Sequence, residues 1–370
     1  MIRISVLIFA FELVKLIVNH MVTSRFRTTL LRGQLLTMMV MCFFACSDDK
    51  WHINPEDVDL GREFRVRSFH KDMLDLPNSD SVAVEKLMHV YGEFWYDYSE
   101  VILRIGSHND TATVAEFRNF LVHESVTETL SAIDTTSGSD EKILEFSREI
   151  EDAFKRFHAL MPAEPVPDVV LMNSSFNFPV FPTETYLAVG LDWFIGHEHP
   201  ILDKLPPEMF PQYKKLRMHP DLMTIKAFRG WMLVNFQNRG YTGKSLVEDI
   251  LYWGKVFWLV DKCMPDMHDH LMMDWTPIEL QWALENETSI WQELQPSDVL
   301  YETNKTIYNR WINEGPFTRA GSIPQDSPDK LGVWMGWRII EDYMDENPNI
   351  SIDELFDQRD TFELLRTYRP

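Results

Sequence analysis

The sequence predicts an α+β fold in which helices dominate over a small sheet, and three observations predict it. Several long stretches place apolar residues at helical spacing. Two apolar runs of strand length, Val169-Val170-Leu171-Met172 and Tyr186-Leu187-Ala188-Val189-Gly190, flank a proline-punctuated segment at 162–182. From Pro206 onward the helical pattern returns, richer in tryptophan.

Residues 1–45 stand apart from that body. They hold five basic residues (Arg3, Lys15, Arg25, Arg27, Arg32) against the single acid Glu12. Arg25, Arg27 and Arg32 precede an apolar run at 34–45, too short for the roughly 20 residues a bilayer span needs. The run ends in Phe43-Phe44-Ala45-Cys46, which resembles a bacterial lipobox with Cys46 as the acylated residue. An uncleaved membrane anchor is the alternative. Glu12 and Lys15 break the earlier apolar run, so residues 1–20 are read as a mis-assigned start before Met21. Residues 46–60 are then a lipidated tether, and 61–370 a single domain. Ser47 after the cysteine resembles an outer-membrane signal, and Asp48-Asp49 a surface-export tether.

Within the domain, residues 62–69 alternate as a short strand, which Pro77-Asn78 ends. A long helix is expected over 81–105, with Val84, Leu87, Met88, Tyr91, Trp95 and Tyr98 on its apolar positions, and another over 141–160. Thr113-Val114-Ala115-Glu116 reads as a capping box between them. Ser245-Leu246-Val247-Glu248 and Thr276-Pro277-Ile278-Glu279 are two more, the second with proline where its missing N–H costs nothing. After Ser245, Leu246, Ile250, Trp253, Phe257 and Val260 form an apolar stripe.

Composition bounds the function. At 370 residues, 45% hydrophobic and 25% charged, the chain is globular, with a formal net charge of −22. Setting aside residues 1–45 leaves 30 basic against 56 acidic side chains, a net charge of −26. Nucleic acid is excluded as a partner, because such binding rests on Lys and Arg neutralising phosphates. With Cys42 in the signal segment and Cys46 acylated, Cys263 is left without a disulfide partner and reads as a small buried residue near a helix end.

Catalytic and metal motifs are incomplete. His123-Glu124-Ser125-Val126-Thr127 has Thr127 where a zinc-protease helix needs its second histidine. His197 and His199, and His268 and His270, are i, i+2 pairs read as solvated loops. No nucleophile elbow, phosphate loop or dinucleotide fingerprint is present, and no cofactor is expected. Charge in apolar surroundings is more informative. Glu287 interrupts the stripe Leu280, Leu284, Trp291, Leu294, and Lys255 follows Gly254 among Trp253, Phe257 and Trp258. The two either face each other in a buried polar core or each reach water separately.

The motifs Trp253-Gly254-Lys255, Trp282 with Asn286-Glu287 and Trp291, Gly315-Pro316-Phe317-Thr318, Ser327-Pro328, and Gly332 with Trp334 and Gly336-Trp337-Arg338-Ile339-Ile340 resemble the gliding-motility-associated lipoprotein GldB family. The segment 190–196 and the closing Tyr368-Arg369-Pro370 fit the same resemblance. Asp329 and Val333 depart from it, where a glycine and a basic residue are expected, and Thr318 stands for Ser.

The resemblance implies a non-enzymatic, lipid-anchored component of the cell envelope supporting gliding motility and associated type IX secretion, with other machinery proteins as partners. It also implies a zincin-like body whose metal site is vacated. Phe228-Arg229-Gly230-Trp231-Met232 offers no ligand, and Lys255 stands where a glutamate would be wanted. Asn286, Glu287 and Arg338 join Lys255 as the candidate polar core. A cryptic metal-dependent peptidase and, given 12 Trp, a glycan-binding lipoprotein are the competing readings.

Overall fold

The computed structural model describes residues 50–370 apart from 75–80, 109, 240 and 242. The signal segment and Cys46 lie outside the described residues. The chain divides into two compact units, Met1–His52 and Ile53–Pro370. In the described part of the first, Lys50 Nζ sits 4.1 Å from the centre of the Trp51 ring. Among the described residues no helix is long and apolar enough to cross a membrane.

In the second unit, four strands form one mixed sheet: β1 (Val66–Arg67), β2 (Asp168–Met172), β3 (Val180–Pro182) and β4 (Tyr186–Gly190). Their order is β1-β2-β4-β3. β1, β2 and β4 run parallel and β3 is antiparallel to β4, with Val169 opposite Leu187 and Phe181 opposite Ala188. The two runs read as strands from sequence are β2 and β4, the middle of the sheet. Beyond Asp168 at the start of β2, both are apolar and buried because both faces are covered.

One face carries helices α1 (Phe69–Leu74), α2 (Ser81–Tyr91), α3 (Glu93–Asp97), α4 (Thr111–Leu121) and α5 (Glu124–Thr135). Their core is largely aromatic: Phe69, Tyr91, Phe94, Trp95, Tyr98 and Phe117 pack on Val170, Met172, Tyr186 and Ala188. Phe69 meets Tyr91, Phe94 and Tyr98 edge-on with centroids 4.7 to 5.0 Å apart, the geometry that aromatic quadrupoles favour. Strand residues of the alternate register face the other layer. There α6 (Asp140–Leu160) and α7 (Met223–Asn235) meet through Phe154, Phe157, Phe228 and Trp231. Gly230 lets α7 lie on β3, since a Cβ there would already be 3.2 Å from Val180.

Apart from four helices of four residues each among the described residues, the second layer is extended by α8 (Leu246–Cys263), α9 (Pro277–Glu285), α10 (Glu287–Leu294), α11 (Leu331–Glu346), α12 (Ile352–Asp357) and α13 (Thr361–Leu365). α8 and α11 are the most intimately packed pair, and glycine makes the approach possible. A Cβ on Gly254 would fall 2.1 Å from the Gly336 carbonyl, and one on Gly336 would fall 1.9 Å from the Ile250 carbonyl. Any side chain at either position forces the two backbones apart. That is the physical content of the Trp253-Gly254-Lys255 and Gly332 to Gly336 motifs. It also explains why α8 is buried on nearly every side, well beyond its predicted stripe.

Several boundaries differ from the sequence reading. Only Val66 and Arg67 of the expected strand pair with β2, and Phe69 begins α1 in the core. The long helix at 81–105 breaks at Gly92 (φ 48°), then closes in a π turn at Tyr98–Ile102. Asp110, not Thr113, caps α4, because its carboxylate accepts from Ala112 N while the Thr113 hydroxyl donates to Ser107 O. Ser245 makes no capping bond, whereas the Thr276 and Glu279 box forms fully. The helix expected to run through Glu287 ends at Asn286, whose backbone leaves the helical region and separates α9 from α10. Cys263 is buried at the last position of α8, and burial pushes its thiol pKa up, so the thiol stays protonated.

Candidate functional site

The polar residues singled out in the sequence fall into two separate groups. Lys255 is 6% exposed on α8, and its Nζ donates to the Gln358 carbonyl at 2.6 Å. Burial lowers its pKa to about 8, against the field of Asp357. Glu287 opens α10 and accepts from Arg338 Nε at 3.3 Å and from the Tyr368 hydroxyl at 2.7 Å. Arg338 also bridges to Glu341, one turn along α11. Asn286 donates from its side chain to the Trp282 carbonyl, 2.8 Å away. Of the two alternatives, the pairing of Lys255 with Glu287 is not formed. The break at Asn286 re-aims Glu287 toward Arg338, and the end of α12 supplies the Lys255 acceptor instead.

Two buried carboxylates, Asp274 and Asp329, organise a further polar cluster. Asp274 lies in the loop before α9 with its side chain fully buried, and Arg229 of α7 grips both its oxygens, at 2.8 and 3.0 Å. Lys330 Nζ lies 3.2 Å and Lys226 Nζ 3.9 Å from the same carboxylate. Burial pushes the Asp274 carboxyl up, but Arg229, Lys226 and Lys330 outweigh it and hold it well below the usual carboxylate range. Lys226 moves the other way, since burial lowers its pKa more than Asp274 restores it. Asp329, also fully buried, accepts from Arg217 at 2.6 Å, from the Trp275 indole at 3.1 Å and from Gly315 N at 2.8 Å.

This cluster ties three loops to α7. Asp274 and Lys330 both hold left-handed backbone conformations, φ 57° and 55°. Such conformations persist where the surroundings over-determine them, and here the ion pairs do so. Lys330 also donates to the Met273 carbonyl, and Arg229 to that of Met272, so the cations satisfy backbone as well as charge. The Thr318 hydroxyl accepts from Leu331 N and caps α11, a task that any side-chain hydroxyl at this place performs. Nothing local in the sequence announces Arg217, Lys226, Arg229 or Lys330. Asp274, a lone acid in Met272-Met273-Asp274-Trp275, and Asp329, in the place of an expected glycine, were the available signals.

Among the described residues no three His, Cys, Asp or Glu side chains come together as a metal-holding group. His199 caps the following 3-10 turn by accepting from Ile201 N, and His268 stacks on His270 at 5.5 Å. The chemistry on display is charge pairing that positions backbone.

Residues 48–370 match the family described as gliding motility protein GldB. The chain belongs to the GldB family. That makes it a member of a lipoprotein family of the cell envelope tied to gliding motility, and not of a known enzyme family. No curated protein and no solved structure matches this GldB-family chain. In this GldB-family member, the glycine and Thr318 motifs that carried the resemblance are the packing and capping devices described above.

Proposed function

We propose that this chain is a non-enzymatic component of the gliding machinery and of associated type IX secretion, anchored in the outer membrane through an acylated Cys46. Membership of the GldB family over residues 48–370 is the observation that carries the reading. The polar core supports it. Each buried ion found there has a structural partner, and the carboxylates are consumed in holding loops and helix ends.

The body is zincin-like with its metal site vacated. Support for this comes from residue types alone: Phe228, Arg229 and Met232 on α7 and Lys255 on α8 stand where the resemblance calls for metal ligands. The ammonium repels a cation in that place. Other proteins of the motility machinery are the partners. One genetic experiment tests the whole reading: the Cys46→Ala chain replaces the native copy in gliding cells. Loss of fatty-acid labelling together with loss of gliding is expected, and labelling that persists contradicts the anchor. Stoichiometric zinc in the purified protein would contradict the vacated site.

A further inference from the structure

Next to Lys255 lies a cavity of about 70 Å³, open on one side. Leu251, Tyr252 and Lys255 of α8 form one wall, and Gln358, Arg359 and Leu364, around the start of α13, form the opposite one. Leu251, Tyr252 and Lys255 are all buried, and the spacing i, i+1, i+4 puts them along one side of the helix.

The charges around this cavity are unevenly satisfied. Arg239, on the rim, is neutralised by Glu164 at 3.0 Å and by Asp353. Among the described residues, no carboxylate lies within ion-pair distance of Lys255 or of the exposed Arg359. The Lys255 ammonium can donate three hydrogen bonds and donates one, to a backbone carbonyl. Glu248, the carboxylate on the wall, sits seven residues before Lys255 on α8, about 10 Å away along the helix axis. A buried cation so under-served is costly, and its lowered pKa records that cost. The hydroxyl of Tyr252 is committed to the Leu233 carbonyl, so its ring lines the cavity as an apolar group beside Leu251 and Leu364.

We propose that this cavity binds a small monocarboxylate: the carboxylate pairs with Lys255 and Arg359 while a short apolar tail lies on Leu251, Tyr252 and Leu364. The anion supplies a direct counter-charge beyond the more distant field of Asp357, through charge-assisted hydrogen bonds stronger than those to the carbonyl. The aliphatic contacts distinguish such a ligand from inorganic phosphate.

Equilibrium dialysis of the full chain in non-ionic detergent against radiolabelled butyrate tests it at constant ionic strength. The expected result is one saturable site per chain, displaced by unlabelled butyrate but not by tenfold excess butyramide or phosphate. Arg359→Ala, on an exposed side chain, keeps its melting temperature and weakens binding about tenfold, a change of about 1.4 kcal/mol. Lys255→Met abolishes binding; if that variant fails to fold, Arg359→Ala decides alone. Absence of saturable binding, displacement by butyramide or by phosphate, or unchanged affinity in Arg359→Ala would overturn the proposal.

Discussion

The two layers that sandwich the sheet solve the same problem by different means. On the α1 to α5 side, the core is largely rings and aliphatic chains, with His70 buried at its edge. On the side of α7, α8 and α11, a fully buried pair of carboxylates and four basic side chains share the interior with tryptophan and glycine. The difference lies in what must be held. The aromatic layer joins helices through short connections, and ring packing suffices. The other layer must fix long irregular segments between α8 and α11, and only directional charge pairing positions such backbone.

That contrast can be broken most forcefully at Asp274. Asp274→Asn keeps the shape but leaves Arg229, Lys226 and Lys330 without a counter-charge, so a loss of about 3 to 5 kcal/mol is expected from denaturant midpoints. A loss below about 1 kcal/mol would place the cluster in contact with water.

Acid should expose the weak point at the edge of the aromatic layer. His70 is 1% exposed, its Nε2 finds no well-formed hydrogen bond among the described residues, and burial lowers its pKa from 6.5 to about 4. The unfolded chain takes up this proton first as pH falls below 6.5, so the contribution is intact above that value and shrinks down to about pH 4. Between pH 7 and pH 5 it amounts to about 2 kcal/mol. His70→Gln should flatten the stability profile by that amount, and an unchanged profile would show that the ring already reaches solvent.

Smaller effects sharpen the same comparison. Leu121→Met, in the aromatic layer, conserves volume and is expected to cost less than about 1.5 kcal/mol. A cost equal to that at Asp274 would erase the distinction between the layers. Smallest of all is a coupling. Lys255 and Glu287 have separate partners, so Lys255→Met and Glu287→Leu should add within about 0.5 kcal/mol in a double-mutant cycle.

How far the sequence speaks depends on the range of the forces involved. β2, β4 and the helix beginning near Leu246 are written in local periodicity, and Thr276 with Glu279 in local hydrogen bonds. β3 escaped notice because its three residues lie among prolines and gain strand character only from pairing with β4. The break at Asn286 escaped for a similar reason, since Glu287 finds Arg338 and Tyr368, which are 51 and 81 residues away. Burial of Lys255 was legible from its neighbours; its acceptor, 103 residues distant, was not. The Asp274 and Asp329 cluster joins segments up to 112 residues apart, and no window of sequence contains it.

On the proposed reading, the buried charges of this GldB-family chain hold the fold and take part in no reaction. Gliding speed measured against the amount of folded protein in the envelope, across Asp274→Asn, Arg217→Met and Leu121→Met, tests it most directly. All three variants are expected to fall on one curve, with gliding lost only as folded protein is lost. An Asp274→Asn strain that keeps its full complement of folded protein yet no longer glides would contradict it.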